Sequence, residues 1–369
     1  MNRFSLLDRG AFLVTMILCC LGVVFIHSAT RASTLDANLW IKQMIWVCLG
    51  MLAYLVLSQF DYKKLVTHAN VFYIAGIISL ALVLLYGDRI NGARSWFRLP
   101  FMSVQPSEFM KIATVLMIAK YFSRFQERQS SLLEFLVSSI LIGIPFFLII
   151  LQPDMGTALV YVPFFVIPNF LVGNKESIWV TVAGSMLVVI LILGVVFKPD
   201  WVFFLKDYQK NRIVSFIYPD RDTSNTGYQV HQSKISIGQG GLLGKGLGKG
   251  QQTQMGFLPA QHNDFILAVA SEEVGFVGVA LVFALFLVLF MRAFTTALEA
   301  SDAMGSILVM LVIGTLFTQT LFNAAMLIGL VPTTGIPFPL LSYGGSSLLT
   351  SLSLLGLIQS VRTHRFVNH

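Results

Sequence analysis

Long apolar runs separated by shorter polar segments make up most of this chain. The runs long enough to cross a bilayer lie at about 11–29, 40–58, 69–86, 104–122, 132–151, 155–172, 177–197, 264–291, 304–330 and 340–360. A transmembrane helix needs about 20 mostly apolar residues, so the pattern predicts roughly ten spans. We therefore expect an all-α integral membrane protein that forms a single polytopic membrane domain over residues 1–369.

One polar segment, at about 198–263, is much longer than the others. It carries Gly227-Tyr228-Gln229, then Gln232, and then a glycine-rich run at 238–250 that contains Lys245. Glycines at this density let backbone N–H groups approach an anion, although a flexible glycine loop is the alternative. Disorder alone does not explain the apolar residues scattered through the segment. We expect a large structured loop between the seventh and eighth spans.

Composition agrees with the membrane assignment. The 369 residues are 56% hydrophobic and 12% charged, whereas soluble domains carry about 25% charged residues. The net charge of +7 would suggest nucleic acid for a soluble protein, but here the basic residues lie in loops, where lipid phosphates are the expected partners and nucleic acid is not. The chain has no dinucleotide fingerprint, zinc spacing or nucleophile motif, so we expect no organic cofactor.

The distribution of lysine and arginine predicts the orientation. One side of the membrane holds eleven of these residues: Arg3, Arg9, Lys63, Lys64, Lys120, Arg124, Arg128, Lys175, Arg292, Arg362 and Arg365. The short loops of the other side hold five: Arg31, Lys42, Arg89, Arg94 and Arg98. Because short cytoplasmic loops carry the excess of positive charge, we expect both termini in the cytoplasm and the long loop outside.

Polar and charged residues gather at the predicted outer ends of the spans. Asp264 opens the eighth span directly after His262 and Asn263. A charge at the mouth of a membrane helix is costly to hold, which makes Asp264 a functional candidate. The alternative is that Asn263 or Asp264 only caps the helix.

Two further charged residues stand three apart at the start of the fourth span. Glu108 and Lys111 therefore share one helix face, and Pro106 suits the first helical position. The pair could be a purely structural ion pair. Lys111 is also a natural ligand for phosphate, acting as a point charge.

Asp154 begins the sixth span after a sharp turn at Gln152 and Pro153. Ordinary turn and cap chemistry explains an aspartate there. Alternatively, Asp154 completes a carboxylate cluster with Glu108 and Asp264 that holds Mg²⁺ or Mn²⁺ beside a diphosphate.

Two other groups of residues have open interpretations. Arg89, Arg94 and Arg98 flank Trp96 and would either anchor the membrane interface or bind a lipid diphosphate. Glu272 and Glu273 lie inside the eighth span, and we expect one of them to face the protein interior or a wet cavity. They keep cation or proton transport open as a function.

Several ordered motifs resemble one known family. They are Asn91-Gly92-Ala93-Arg94-Ser95-Trp96, Gln105-Pro106-Ser107-Glu108 with Lys111, Gln152-Pro153-Asp154-Met155-Gly156-Thr157, Gly227-Tyr228-Gln229 with Gln232-Ser233-Lys234, Phe257-Leu258-Pro259 through Asp264-Phe265-Ile266, and Ser342-Tyr343-Gly344-Gly345-Ser346. The chain is similar over most of its length to the shape, elongation, division and sporulation family of bacterial membrane glycosyltransferases. Asp207-Tyr208-Gln209 with Arg212, and Thr253-Gln254-Met255-Gly256, are closer to its elongation member than to its division member.

This resemblance implies an activity and a location. It implies polymerisation of lipid II, the undecaprenyl-diphosphate disaccharide-pentapeptide, on the outer face of the bacterial cytoplasmic (inner) membrane during cell elongation. It also implies a class B penicillin-binding transpeptidase and other elongation-complex membrane proteins as partners. The family's essential aspartate corresponds to Asp264, and its functional glutamate and lysine correspond to Glu108 and Lys111.

From these observations we predict the following roles. Asp264 is the general base of an inverting displacement, helped by Glu108 and Lys111, with or without a divalent cation. The predicted substrate-binding residues are Arg94, Trp96, Asp154, Arg212, Gln232, Lys245, His262, Ser342 and Tyr343. A lipid II flippase and a non-catalytic scaffold for the transpeptidase remain the alternative functions.

Overall fold

The computed structural model describes residues 6–31, 36, 38–90, 93–98, 103–125, 131–173, 175–176, 178–184, 216, 226–258 and 260–365. These residues form a bundle of helices with one small sheet. The helices are α1 (Arg9–Thr30), α2 (Leu39–Gln59), α3 (Tyr62–Thr67), α4 (Ala69–Tyr86), α5 (Pro106–Phe122), α6 (Leu132–Leu151), α7 (Met155–Leu159), α8 (Val162–Val172), α9 (Thr226–Gly240), α10 (Gln251–Gln254), α11 (Ile266–Leu298), α12 (Ala303–Leu327) and α13 (Gly345–His364). The strands are β1 (Asp88–Ile90), β2 (Ala93–Arg98) and β3 (Ser103–Val104), and β2 pairs antiparallel with both of the others.

Seven stretches in the described residues are long and apolar enough to cross a membrane. They are α1, α2, α4, α6, α7 with α8, α11 and α12. Each coincides with a span that the apolar pattern predicts. The predicted seventh span, at 177–197, lies mostly outside the described residues, and the remaining two predicted spans correspond to α5 and α13.

Helices α5 and α13 are the most enclosed helices of the bundle, and both carry many polar residues. Protein surrounds α13 along most of its length, and its buried residues include Ser351 and Ser360. Small residues let helices approach closely in a membrane, and Gly356 lies so near the backbone of Tyr54 on α2 that a Cβ there would come within 2.8 Å of its carbonyl oxygen. A helix buried in protein does not need the apolar surface that lipid demands.

Ion pairs gather at one end of the bundle. Asp8, which caps the start of α1, lies 2.6 Å from Arg292 on α11, and Lys63 of α3 lies 2.9 Å from Asp302 at the start of α12. We call this the Asp8 end. The predicted site residues that the structure describes, including Glu108, Asp154 and Asp264, belong to the opposite end, where α5, α7, α11 and α13 begin.

Helix α11 is interrupted within its first half. Gly275 has φ 66° and ψ −169°, a conformation that favours glycine and breaks the helical ladder. The loop after α9 hydrogen-bonds there, because the N–H of Phe276 donates to the carbonyl of Gly241 and that of Val277 to Leu242. The predicted eighth span is therefore two helical segments with a break between them.

Candidate functional site

Three consecutive carbonyl groups just before α11 are held by residues from later in the chain. The N–H of Tyr343 donates to the carbonyl of His262 at 2.9 Å, and Ser342 Oγ donates to that of Asn263 at 2.7 Å. Asn323 Nδ2 donates to the carbonyl of Asp264 at 2.8 Å. The backbone that carries Asp264 is thus fixed at three successive residues.

Asp264 does not occupy the capping position of α11. The N-cap residue is Phe265, which makes no side-chain capping hydrogen bond. The Asp264 carboxylate instead lies against Gly335, where an added Cβ would stand 3.6 Å from Oδ2. Gly335 has φ +71°, so a side chain there would be strained as well as close to the carboxylate. Asp264 therefore directly precedes the N-cap residue of α11.

The segment from 332 to 339 contacts both Asp264 and the start of α7. It is an irregular connection that contains three prolines and is buried at Ile336 and Phe338. Its Thr334 carbonyl oxygen lies so close to Gly156 that a Cβ there would come within 2.4 Å. Only a glycine leaves room for this approach, which brings the Asp154 turn against the segment that Asp264 contacts.

Asp154 caps α7, as turn chemistry predicts, and it also bonds across the bundle. Its Oδ1 accepts from the N–H of Thr157 at 3.0 Å, and its Oδ2 accepts from Thr157 Oγ1 at 2.9 Å. Gln105 Nε2 donates to the same Oδ2 at 2.7 Å. The N–H of Gln105 donates to Ser346 Oγ at 3.3 Å, so α5, α7 and α13 begin in one hydrogen-bonded group.

Glu108 and Lys111 form a buried ion pair on α5. Lys111 Nζ lies 2.7 Å from Glu108 Oε2, and their side chains are 2% and 3% exposed. Pro106 opens the helix and Glu108 stands in its first turn, as expected, where the helix dipole favours a negative charge. The two opposite charges compensate each other, which allows both side chains to be buried within the bundle.

The three candidate metal ligands do not form a cluster. Among the residues that the structure describes, no group of three or more His, Cys, Asp or Glu side chains could hold a metal ion. The charge of Glu108 is balanced by Lys111, and both oxygens of Asp154 accept hydrogen bonds. The three-carboxylate site from Glu108, Asp154 and Asp264 and the divalent cation itself both stay predictions.

The glycine-rich run and helix α10 after it donate backbone N–H groups to anions, and those anions are carboxylates of the chain itself. The N–H groups of Gln252 and Thr253 donate to Glu272 at 2.9 and 3.1 Å, and the N–H of Gly248 donates to Glu273 at 3.0 Å. Both glutamates are buried, not only one as expected. Lys245 Nζ lies 3.5 Å from Glu272 Oε1. These contacts explain why Lys245, Glu272 and Glu273 are charged: they hold the loop after α9 against α11.

The other predicted substrate-binding residues are spread over the same end. Arg94 Nη1 donates to the last carbonyls of α4, at 3.2 Å to Leu84 and 3.3 Å to Leu85. Trp96 is half-buried on β2. Gln232 is half-buried on α9. The predicted Arg212 lies outside the described residues.

His262 and Tyr343 pack ring against ring at the Asp264 end. Their centroids are 5.9 Å apart and the planes meet at 73°, an edge-to-face contact. Burial lowers the pKa of His262 below its usual value, and the charge of Asp36 offsets part of that effect. Ser342 Oγ also accepts from the N–H of Phe338 at 2.8 Å, which gives Ser342 and Tyr343 a clear role in shaping the site.

An apolar cavity of about 510 Å³ opens between α2, α4, α5 and α13. Phe97, Val104 and Pro106 line it near the start of α5, and Leu116 and Leu357 line it farther along the helices. It therefore runs from the region of Glu108 into the apolar part of the bundle. Its lining suits a hydrocarbon chain.

Sequence reasoning missed Asn323 and underrated Gln105. Asn323 is fully buried and bonds to both Asp264 and Ile336, while Gln105 connects Asp154 to Ser346. The available signal was an amide within an apolar run, since such a group needs internal partners.

A family model and named relatives match this chain over nearly its full length. The family model for FtsW, RodA and SpoVE, described as cell cycle protein, matches residues 9–366. Peptidoglycan glycosyltransferase MrdB of Escherichia coli K12 is 33% identical over 367 residues, covering 99% of this chain and 97% of the relative. Peptidoglycan glycosyltransferase RodA of Treponema pallidum is 30% identical, covering 97% and 98%.

A solved structure is similar over the whole fold. It is a chain from work on structural coordination of polymerization and crosslinking by a peptidoglycan synthase complex, with a TM-score of 0.80, 29% identity and 98% of each chain covered. The match of the family model over nearly the full length, together with relatives above 30% identity, is sufficient to assign the family. This chain belongs to the FtsW, RodA and SpoVE family of cell cycle proteins.

Proposed function

We propose that this chain polymerises lipid II into glycan strands during cell elongation, with Asp264 as the general base. The chain is a peptidoglycan glycosyltransferase by its family and by full-length relatives that carry this activity in their names. The observation that carries the proposal is the position of Asp264, whose backbone is fixed at three successive carbonyls. A general base has to be held within hydrogen-bond reach of the hydroxyl that it deprotonates.

The reaction joins two lipid-linked sugars. A hydroxyl of one lipid II attacks the anomeric carbon of another glycan chain, the bond to undecaprenyl diphosphate breaks, and the diphosphate leaves with the bonding electron pair. Asp264 accepts the proton of the attacking hydroxyl. An α-linked donor that gives a β-linked product requires a single inverting displacement and no covalent glycosyl-enzyme.

The leaving diphosphate needs positive charge. Lys111 is our first choice because it is held by Glu108 at 2.7 Å on the helix that opens beside Gln105 and Asp154. Glu108 would fix the position of the Lys111 ammonium and limit its loss of solvation. Arg94 and Arg212 are further candidates, and a divalent cation, Mg²⁺ or Mn²⁺, would supply the same neutralisation.

The apolar cavity supports a lipid substrate. It passes Pro106 and Phe109 on the helix that carries Glu108, and Ala113 lies one turn farther along. An isoprenoid chain in this cavity would place its diphosphate near the start of α5. The bilayer is as apolar as this cavity, so close packing against the cavity wall, rather than burial from water, would hold the lipid chain there.

The same proposal fixes location and partners. We place the Asp264 end on the outer face of the bacterial cytoplasmic membrane and the Asp8 end, with both termini, in the cytoplasm. About ten spans would result, with the large loop of 198–263 outside. A class B penicillin-binding transpeptidase and other elongation-complex membrane proteins are the proposed partners, and the similar chain from a peptidoglycan synthase complex supports this assignment.

Purified protein tests the proposal against both alternatives. In detergent, wild-type protein should convert lipid II into glycan strands, alone or with a partner transpeptidase. In vesicles that carry labelled lipid II in one leaflet, it should not raise the rate of transfer to the other leaflet. Transfer without strands would favour a flippase, and the absence of both would favour a scaffold.

A further inference from the structure

Asn323 connects the backbone of Asp264 to the segment that faces its carboxylate. The side chain is fully buried on α12, four residues before the helix ends. Its Nδ2 donates to the carbonyl of Asp264 at 2.8 Å and to the carbonyl of Ile336 at 2.7 Å. Both partners are carbonyl oxygens, so only the NH₂ group of the amide can serve them, and this fixes the orientation of the side chain.

The two carbonyls belong to two separate segments, and neither segment is part of a helix or a strand. Asp264 lies in the turn before α11, and Ile336 lies in the irregular connection of 332–339. Gly335, directly before Ile336, is the residue against which the Asp264 carboxylate lies. This NH₂ group therefore links the residue that carries the carboxylate directly to the segment that forms its near wall, and Ser342 Oγ makes a second link between Asn263 and Phe338.

We infer that Asn323 is a positioning residue for Asp264, an inference that rests on the proposed function. It acts through two backbone carbonyls and contacts no reacting atom. Ser342 and Tyr343 hold the two preceding carbonyls, but they lie in a turn, whereas Asn323 projects from a 25-residue helix. A displacement of about 1 Å at a catalytic group can reduce turnover on the order of 10²-fold.

A purely structural role makes a different prediction. A buried amide that only joins two segments would, when replaced, reduce the amount or the thermal stability of folded protein. The folded fraction would then keep its ordinary kcat. Loss of positioning reduces the kcat of folded protein and leaves lipid II binding nearly unchanged, because the missing interaction matters for the chemical step.

The test compares Asn323→Leu with a matched substitution on the same helix. Leucine has the same branched outline as asparagine but is bulkier, and it has no donor. Thr320→Val is the control, because Thr320 is also buried and its hydroxyl bonds only back to the Leu316 carbonyl of its own helix, at 2.8 Å. Asn323→Ser is the second variant, since it keeps one donor and introduces no overlap.

The readouts are kcat and KM for lipid II, per mole of folded protein from size-exclusion chromatography, and the melting temperature. We expect Asn323→Leu to reduce kcat about 10²-fold with KM changed less than about twofold. Asn323→Ser should fall between Asn323→Leu and wild type, and Thr320→Val should keep the wild-type kcat.

The contrary results are equally distinct. A kcat for Asn323→Leu equal to that of Thr320→Val would overturn the inference, and so would failure of both Asn323 variants to fold while Thr320→Val folds. An increase in KM alone would assign Asn323 to substrate binding and would also overturn it. Inactive wild-type protein would contradict the proposed function itself, and the inference would fall with it.

Discussion

Lys111 Nζ lies 2.7 Å from Glu108 Oε2, and both side chains are almost fully buried one helical turn apart. Two charges removed from water cost several kcal/mol each, and their attraction repays this only when the geometry is good. Removing one partner strands the other charge, whereas replacing both by neutral groups is often harmless to stability. Substitution of one or both partners therefore separates the structural value of this pair from its proposed chemical value.

Lys111→Met should lower the free energy of unfolding by about 3–5 kcal/mol, because it leaves the Glu108 carboxylate buried and unpaired. The double variant with Glu108→Gln should regain most of that stability and remain unable to polymerise lipid II. Denaturant unfolding in detergent and strand synthesis measure the two effects. Lys63→Met, at the more exposed pair with Asp302, is the control and should cost about 1 kcal/mol or less. Strand synthesis by the double variant would leave the pair a purely structural role.

The buried Glu272 carboxylate should anchor the loop after α9. Glu272→Ala removes the acceptor of two backbone N–H groups and of Thr253 Oγ1, and it leaves Lys245 without its carboxylate partner. We expect the free energy of unfolding to fall by about 3 kcal/mol or more. Limited proteolysis should then cut between 240 and 255, where the wild type resists. Glu299→Ala, at a half-exposed side chain, is the control, and equal resistance in both variants would refute this account of the loop.

His262 should make stability depend on pH near neutrality. Burial lowers its pKa in the folded protein, so the unfolded chain binds a proton more readily than the folded one. Burial of neutral His262 therefore leaves stability at its full value above the pKa of the unfolded chain, about 6.5. The folded protein loses stability as the pH falls from there toward the lower pKa of His262 in the folded state. Melting temperature against pH should therefore flatten in His262→Gln between about pH 5 and 7. His68→Gln, at an exposed side chain, should keep the wild-type curve, and an unchanged slope in His262→Gln would contradict the assignment.

The apolar cavity should hold the lipid chain of the substrate. Ala75 lines it on the exposed side of α4, and Ala75→Trp should exclude part of the chain. Losing these packing contacts would raise the KM for lipid II several-fold, with kcat nearly unchanged. Ile78→Trp, on the same helix and outside the cavity lining, is the control. Equal KM values for the two variants would place the lipid elsewhere.

The sequence predicted most helices because lipid and helix length impose a strong pattern. Seven predicted spans coincide with helices that are long and apolar enough to cross a membrane. The break of α11 at Gly275 was not predicted, since the residues around it remain apolar and the break depends on pairing with Gly241 and Leu242 far along the chain. A long apolar run shows that a segment can span the bilayer, but it does not show which part is continuous helix.

The candidate site was only partly accessible from sequence. Glu108 and Lys111 could be paired by helical spacing alone, and Asp154 could be predicted as a cap from its turn. Lys245 was predicted to bind a substrate anion, but it lies beside Glu272, which is 27 residues away in the sequence and which no local pattern connects to it. Asn323 escaped attention because its partners are backbone carbonyls, which every residue offers and no motif records.

The central claim is that the carboxylate of Asp264 is the base of strand polymerisation, and one comparison tests it most directly. Purified wild type, Asp264→Asn and the exposed control Asp88→Asn would receive lipid II with and without Mg²⁺ or Mn²⁺. The account predicts strands from wild type and Asp88→Asn, and a rate about 10²–10⁴-fold lower from Asp264→Asn with or without cation. Strands from Asp264→Asn at the wild-type rate would contradict it.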